Sequence, residues 1–202
     1  MKLLRIDASS RMEQSESRLM ADKFQSQWKK VNTGGQVIIR DIINDPIPHI
    51  SEATISGFYT PTDELTADLK QATSLSNQLI AELKGTDHLL ISSPMYNFGV
   101  PSALKAWIDQ IVRVNQTFGV GEEGFFGMVE NVKAYVITAA GAVYHTSEDM
   151  KVLDFVQPYL KTVLGLIGIT DVTFIPLEGT SLDPEVFQQM KSDAESMIAS
   201  IS

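Results

Sequence analysis

The sequence predicts an α/β protein built on a five-stranded parallel sheet with helices on both faces. Five short runs rich in β-branched or bulky apolar residues recur along the chain, and longer segments with helical spacing of apolar residues separate them. Short strands that alternate with helices favour a parallel sheet covered on both sides. With 202 residues, 44% of them apolar, the chain is long enough for one buried core, so we expect a single domain over residues 1–202.

The predicted strands fix the expected topology. They are Leu3 to Asp7, Gln36 to Arg40, His88 to Ser92, Ala134 to Thr138 and Val172 to Pro176. Right-handed crossovers leave few arrangements, and five β-α units suit a doubly wound, flavodoxin-like sheet with strand order 2-1-3-4-5. In that order the chain turns in opposite directions after strands 1 and 3, so a ligand crevice is expected beyond their carboxyl ends.

Helical spacing is clearest in three of the intervening segments. The last of these three helices in the chain begins with Asp183 as N-cap and Pro184 at the first helical position. The apolar positions of the three segments are Leu65, Leu69, Ala72, Leu79 and Leu83, then Leu104, Trp107, Ile108 and Ile111, then Val186, Met190, Ala194, Met197 and Ile201. Pro158 is expected to kink or interrupt the helical stretch 147–167.

Two connections, 41–60 and 116–131, are longer than ordinary turns, which predicts functional loops or partner contacts. The second contains Gly119-Val120-Gly121-Glu122-Glu123-Gly124, which matches the G-x-G-x-x-G pattern of dinucleotide sites. It follows a predicted helix rather than a strand, and it places two carboxylates where a pyrophosphate would lie. We therefore reject it as a dinucleotide fingerprint.

Composition and charge exclude several function classes. The formal charge is -9 and no basic stripe occurs, so nucleic acid is an unfavourable partner. The absence of cysteine excludes thiolate metal sites and cysteine nucleophiles, and the three histidines lack a ligand spacing, so no metal is expected. The charged start and the lack of a long apolar run predict a cytoplasmic protein without a membrane anchor.

Hydroxyl groups follow the first predicted strand, at the start of the next helix. The segment 8–18 includes Ser10, Ser15 and Ser17, and a helix start offers unpaired N–H donors together with a partial positive charge. The segment is therefore a candidate phosphate site, with Arg11 or Arg18 as a screening cation. The alternative is that Ser15 or Ser17 only caps the helix.

A second candidate segment, Met95 to Phe98, follows the third strand and lies between two prolines. It combines amide donors with flat apolar side chains, which suits an aromatic heterocycle with a polar rim, such as an isoalloxazine ring. The alternative is a simple strand-to-helix turn whose aromatic residues are in the core, with Pro101 opening the helix.

A third loop, Ala139-Ala140-Gly141-Ala142, follows the fourth strand, and its small residues allow close approach of the backbone to a ring. Small residues are also common in any tight turn. His145 lies just beyond, and it is a weak candidate for a proton donor, because an isolated histidine more often has a surface or packing role.

Together these residues resemble FMN-dependent NADH azoreductases, which also reduce quinones. The resemblance extends over essentially the whole chain, and Met95-Tyr96-Asn97-Phe98 running into Leu104-Lys105 is its most specific part. Its other elements are the serines of the first loop, Arg40-Asp41 with Ile47-Pro48, Thr117-Phe118, Tyr159-Leu160 and Gly165 to Asp171.

The resemblance implies a homodimer with FMN at the interface and NADH or NADPH as electron donor. It assigns Ser10, Ser15, Glu16 and Ser17 to the phosphate, Met95, Tyr96, Asn97 and Phe98 to the ring and ribityl chain, and Ala139, Ala140, Gly141 and Ala142 to the far edge of the ring. The sequence departs from the family in a slightly shorter first loop and in the third loop, where Ser-Arg-Gly-Gly is expected.

The implied reaction is a ping-pong transfer of two electrons from the nicotinamide to a quinone or azo compound, with the cofactor rather than a protein nucleophile carrying the redox step. Tyr96, Phe98 and Phe118 are candidate walls for flat substrates, although core packing is an equal alternative for Phe118. Asn97→Ala is expected to weaken FMN retention, whereas Lys191→Ala, at a position expected to be exposed, should have no effect. The competing functions are an electron carrier without nicotinamide turnover and a flavin-free interaction module.

Overall fold

The structure, a computed structural model, describes residues 1–201, so Ser202 of the predicted domain lies outside the described residues. Its helices and strands, in chain order, are β1 (Lys2–Asp7), α1 (Glu16–Val31), β2 (Gln36–Asp41), α2 (Glu52–Tyr59), α3 (Ala67–Lys84), β3 (His88–Pro94), α4 (Ser102–Ile111), β4 (Phe118–Gly121), β5 (Gly124–Gly127), β6 (Lys133–Ala139), α5 (Glu148–Lys151), α6 (Val156–Leu166), β7 (Val172–Leu177) and α7 (Pro184–Ala199).

The main sheet has five parallel strands in the order β2-β1-β3-β6-β7, which is the predicted 2-1-3-4-5 order. All five predicted strands are present, and each is within two residues of its predicted bounds. Backbone bonds at the carboxyl edge hold the loops after β1, β3 and β6 together. Ala8 N donates to Ser92 O at 2.9 Å, and Met95 N donates to Ala139 O at 2.8 Å.

Two apolar layers cover the faces of the sheet. Helices α1 and α7 pack on one face, where Phe24, Trp28 and Ile198 are buried. Helices α3, α4 and α6 pack on the other, with Leu79 and Trp107 among their buried side chains. Each such buried apolar side chain stabilises the fold by roughly 1.5–3 kcal/mol. Neither layer covers the carboxyl edge of the sheet, where polar loops lie.

The helices agree with the predicted apolar faces except at four positions. Ile201 lies beyond α7, which ends at Ala199. Leu65 precedes α3, because Thr66 caps that helix by accepting a hydrogen bond from Leu69 N. In α7, Asp183 is the N-cap as predicted, but Val186 and Met197 are exposed. The buried side of α7 is instead formed around Ala194 and Ile198.

Pro158 does interrupt the predicted helical stretch, and the structure shows how. The stretch divides into α5 and α6, and Pro158 lies in the first turn of α6, where a proline removes no intrahelical hydrogen bond. Asp154 Oδ1 accepts from Val156 N at 2.8 Å and caps the start of α6.

Both long connections contain structure of their own. The first holds α2, and the second holds an antiparallel hairpin of β4 and β5. The G-x-G-x-x-G match lies within this hairpin, so its glycines serve a turn rather than a strand-to-helix phosphate loop. Gly119 leaves room for the Phe126 ring, since a Cβ there would lie 2.2 Å from it. Among residues 1–201, no helix is long and apolar enough to span a bilayer.

Candidate active site

A cleft of about 630 Å³ opens at the carboxyl edge of β1, β3 and β6. Residues from the segments 9–19, 94–96, 139–141 and 180–181 line it. All three predicted loops therefore meet at one cavity, as the strand order requires. Thr180 and Ser181, which follow β7, were not predicted. The strand order could have predicted these two residues, because β7 lies next to β6 and its carboxyl end is at the same edge of the sheet.

The first loop delivers the amino-terminal end of α1 into this cleft. Ser15 is the N-cap, and its hydroxyl accepts from Arg18 N at 3.3 Å and lies 3.2 Å from Ser17 Oγ. Ser15 therefore does cap the helix, and because it also lines the cleft, capping does not exclude the predicted phosphate role. No residue within 1–201 accepts a hydrogen bond from the amides of Glu16 or Ser17, which leaves two donors at the positive end of the helix. Ser10 is exposed, whereas the neighbouring Ser9 is buried and lines the cleft.

Arg18 is fully engaged beneath the first loop. Its guanidinium donates to both oxygens of Asp41, at 2.7 and 2.9 Å, and twice to the Ser9 carbonyl, at 3.2 and 2.9 Å. The hydrogen bonds from Arg18 lower the pKa of the Asp41 carboxyl, and those bonds in turn raise the pKa of Arg18. Arg18 therefore holds the loop in place, and Arg11 is the arginine that lines the cleft.

A second layer of charge lies directly below this pair. Arg5 Nε donates to Asp7 Oδ1 at 3.0 Å, and Arg18 Nη1 lies 3.6 Å from Asp7 Oδ2. Burial raises the pKa of Asp7, and the hydrogen bond from Arg5 opposes that rise. Arg5 Nη1 also donates to Asp22 Oδ1 at 2.6 Å, so the two arginines hold three carboxylates, those of Asp7, Asp22 and Asp41, without a ligand.

The second loop is a tight turn with backbone strain. Tyr96 and Gly99 exchange two backbone hydrogen bonds, both at 3.0 Å, and the residues between them have positive φ, 49° at Asn97 and 68° at Phe98. A left-handed conformation costs roughly 1–2 kcal/mol per non-glycine residue. Such strain persists where neighbouring structure enforces it, and it clusters at ligand sites. Here it leaves Tyr96, which lines the cleft, exposed by 39%, and Phe98, which packs edge-on against Tyr144, exposed by 45%.

The third loop presents its backbone rather than side chains. Ala139 and Gly141 line the cleft, whereas Ala140 is buried and its amide donates to Leu177 O at 3.1 Å. The carbonyl oxygen of Ala142 accepts from Gly179 N at 3.0 Å. A Cβ on Gly141 would lie 3.1 Å from Ser181 Oγ, so the glycine permits close packing of this loop on the chain after β7.

The predicted residues that do not line this cleft are Ser10, Asn97, Phe98, Phe118, Ala140, Ala142 and His145. His145 is behind the third loop, where its Nδ1 is 2.6 Å from Glu178 Oε2, and Phe118 packs edge-on against Phe125 with 5.9 Å between ring centroids. A further correction concerns Lys191. Its Nζ lies 3.0 Å from Glu16 Oε2, and its side chain is only 22% exposed, so it is not the exposed residue that the sequence predicts.

Comparisons with known proteins agree with this arrangement. Residues 1–201 match the family described as flavodoxin-like fold. An FMN-dependent NADH:quinone oxidoreductase of Xanthobacter autotrophicus is 46% identical over 171 residues, which cover 84% of this chain and 82% of that protein. The chain belongs to this flavodoxin-like oxidoreductase family. A second member, FMN-dependent NADH:quinone oxidoreductase 1 of Trichormus variabilis, is 42% identical and covers 100% of this chain and 95% of its own.

A solved structure extends the likeness to the fold of the family. It is an FMN-dependent NADH-azoreductase from Bacillus anthracis in complex with FMN, 25% identical, with a TM-score of 0.87 and 98% of each chain covered. The resemblance predicted from the Met95 turn and the serine loop is thereby confirmed at the level of family and fold.

Proposed function

We propose that this protein is an FMN-dependent oxidoreductase that passes two electrons from NADH to a quinone or an azo compound. The observation that carries the proposal is the convergence, in one cleft, of unpaired amides at the amino-terminal end of α1 and the strained turn at Tyr96 to Gly99. The names of the relatives support the same cofactor and electron donor.

The residues present fit FMN. A doubly charged phosphate matches the free amides of Glu16 and Ser17 and the hydroxyls of Ser15 and Ser17, because helix starts favour anions. Met95, Tyr96, Asn97 and Phe98 would flank the ring and ribityl chain, and the backbone of Ala139 to Ala142 would approach the far edge. When bound, FMN supplies the redox chemistry, as a two-electron acceptor and donor.

The protein itself supplies placement, charge balance and access. Lys191 neutralises Glu16, which is the acidic residue nearest the start of α1. Tyr96 lines the cleft and Phe98 is exposed in the same turn, and a quinone or azo dye would stack against these flat apolar faces. His145 remains a weak candidate for proton donation, since its ring faces Glu178 rather than the cleft.

The proposal includes a homodimer with the cleft at the interface. The β4–β5 hairpin exposes an apolar surface, with Val120 at 63%, Phe125 at 72% and Phe126 at 52% exposure. Large exposed apolar side chains on one hairpin favour a protein interface. Phe118 lies at the base of the hairpin, so a second copy that covers the hairpin would also bring Phe118 toward the substrate. Sedimentation equilibrium tests this: the wild type should be dimeric, Phe125→Ser should shift it toward monomer, and a monomeric wild type would refute the dimer.

We further propose that residues 1–202 form one FMN-binding domain and that the protein is cytoplasmic, where NADH is supplied. All the loops of the cleft extend from one sheet, which supports the single domain.

Steady-state and half-reaction kinetics test the activity. With FMN-loaded protein, initial rates at varied NADH and several fixed quinone concentrations should give parallel double-reciprocal lines. Under anaerobic conditions one equivalent of NADH should bleach the flavin absorbance, and one equivalent of quinone should restore it. Bleaching by dithionite but not by NADH would instead indicate an electron carrier. If the protein is incubated with FMN and is colourless after desalting, it is a flavin-free module. Either result would refute the proposal.

A further inference from the structure

A second cavity lies between α6 and β7 and shares no lining residue with the cleft described above. Its volume is also about 630 Å³, within the range of small-molecule sites. Ile169, Val172 and Phe174 form an apolar floor, and Gly165 on α6 faces the space. A Cβ placed on Gly165 would meet no atom within 4 Å, so the helix leaves open volume there that its own side chains do not fill.

The rim of this cavity carries two lysines, Lys151 and Lys161, and two carboxylates that are held by the protein's own groups. Its two acidic residues are engaged internally: Asp154 Oδ1 caps α6 by accepting from Val156 N at 2.8 Å and from Gln157 N at 3.1 Å, and Glu178 is buried. Glu178 Oε2 accepts from Tyr144 N at 2.8 Å and contacts the His145 ring at 2.6 Å.

The lysines of the rim are less committed. Lys161 forms no ion pair with any of residues 1–201, and Lys151 pairs only with Glu148, whose side chain is 87% exposed. An exposed pair of this kind is weak and is readily exchanged for another anion. An apolar floor below two available ammonium groups is complementary to a flat molecule that carries one negative charge.

We propose that the α6–β7 cavity binds an aromatic carboxylate, with its ring on Phe174 and Val172 and its carboxylate at Lys161 and Lys151. This site is separate from the flavin cleft, and its occupation requires neither FMN nor turnover. The wall formed by Tyr144, His145 and Glu178 is the rear of the third flavin loop, and Tyr144 packs edge-on against Phe98 with ring centroids 6.5 Å apart. The ligand would therefore lie behind the flavin site without entering it.

Calorimetric titration with 2-naphthoate, which cannot accept electrons from the enzyme, tests the proposal. The wild type should bind one equivalent with the same affinity in its FMN-free and FMN-loaded forms. Gly165→Leu fills the cavity from a helical position where leucine is a better helix former than glycine, and it should remove saturable binding. Lys161→Gln should weaken binding about two- to fivefold.

Controls separate the cavity from general effects. Thr162→Leu places the same leucine side chain at an exposed position of α6 that does not line the cavity, and Lys29→Gln removes an exposed lysine on α1; both should bind 2-naphthoate like the wild type. The uncharged analogue 2-naphthalenemethanol should bind more weakly than the acid. All variants should retain their fold, which circular dichroism will check, and their FMN, which flavin content will check.

Several results would overturn the proposal. These are no saturable binding by the wild type, unchanged binding by Gly165→Leu, equal binding of the acid and the alcohol, and displacement of 2-naphthoate by FMN. A change of oligomeric state in Gly165→Leu would show that a second copy fills the cavity, which also contradicts a small-molecule site. Because binding is measured without flavin, failure of the redox function and failure of this proposal are distinguishable.

Discussion

Arg18 provides the sharpest test of how the phosphate loop is held. Replacement by glutamine removes two hydrogen bonds to Asp41 and two to the Ser9 carbonyl. Hydrogen bonds to charged groups contribute about 1.5–3 kcal/mol each when buried, but Asp41 is partly exposed, so we expect a loss of about 2 kcal/mol in the free energy of unfolding. The change does not touch any group proposed to contact FMN.

The effect on FMN binding follows from the loss of order in the first loop. Without Arg18 the backbone at Ser9 is no longer fixed in the free protein, and fixing one residue costs about 1–2 kcal/mol. Binding must then supply this free energy, so the Kd for FMN should rise by roughly five- to thirtyfold. Quenching of flavin fluorescence measures the Kd, and urea unfolding followed by circular dichroism measures stability.

Arg40→Gln is a matched control. Arg40 is also partly buried near the end of a strand, and it donates to both oxygens of Glu82, with Nε–Oε2 at 2.8 Å. It makes no contact with the first loop. We expect a similar loss of stability and an unchanged Kd for FMN. If both variants bind FMN equally well, Arg18 does not position the loop and the reasoning is wrong.

Three further predictions concern single contacts. Lys191→Ala should raise the Kd for FMN about two- to fivefold, more at low salt, because it leaves Glu16 unneutralised beside the phosphate; an unchanged fluorescence titration would contradict this. Asn97→Ala should weaken FMN binding and lower stability by about 1 kcal/mol in urea unfolding, because alanine tolerates a φ of 49° less well than asparagine; undiminished flavin content would count against it. Burial lowers the pKa of His88, and Trp28 Nε1 donates to its Nδ1 at 2.8 Å, so the neutral ring is the form favoured by folding. The contribution of His88 to the free energy of unfolding should therefore be fully present above the unfolded pKa near 6.5, and it should fall as the pH drops toward the lower folded pKa. Trp28→Phe should be less stable by about 1 kcal/mol at pH 8 and less dependent on pH, which urea unfolding at several pH values will measure.

The strands and the strand-end loops could be predicted because their signals are local. Each strand is a short apolar run, and parallel topology then brings the loops at Ser15, Met95 and Gly141 to one edge. The strain at Asn97 carried no sequence signal, because asparagine and phenylalanine are unremarkable in a turn until both adopt positive φ.

Contacts between distant residues could not be predicted. Arg18 and Asp41 are 23 residues apart, and Lys191 and Glu16 are 175 residues apart, so only the packed fold shows that each pair meets. The same limit explains why Lys191 was wrongly expected to be exposed. Similarly, the exposure of Val186 and Met197 depends on how α7 is rotated against α1, which a helical period alone does not fix.

The affinity ratio of FMN to riboflavin tests the central claim most directly, because the two ligands differ only in the phosphate. If that phosphate lies at the start of α1, it gains at least two charge-assisted hydrogen bonds, and FMN should bind at least about a hundredfold more tightly than riboflavin. Equal affinities, measured by flavin fluorescence at the same salt concentration, would contradict the placement of FMN in this cleft.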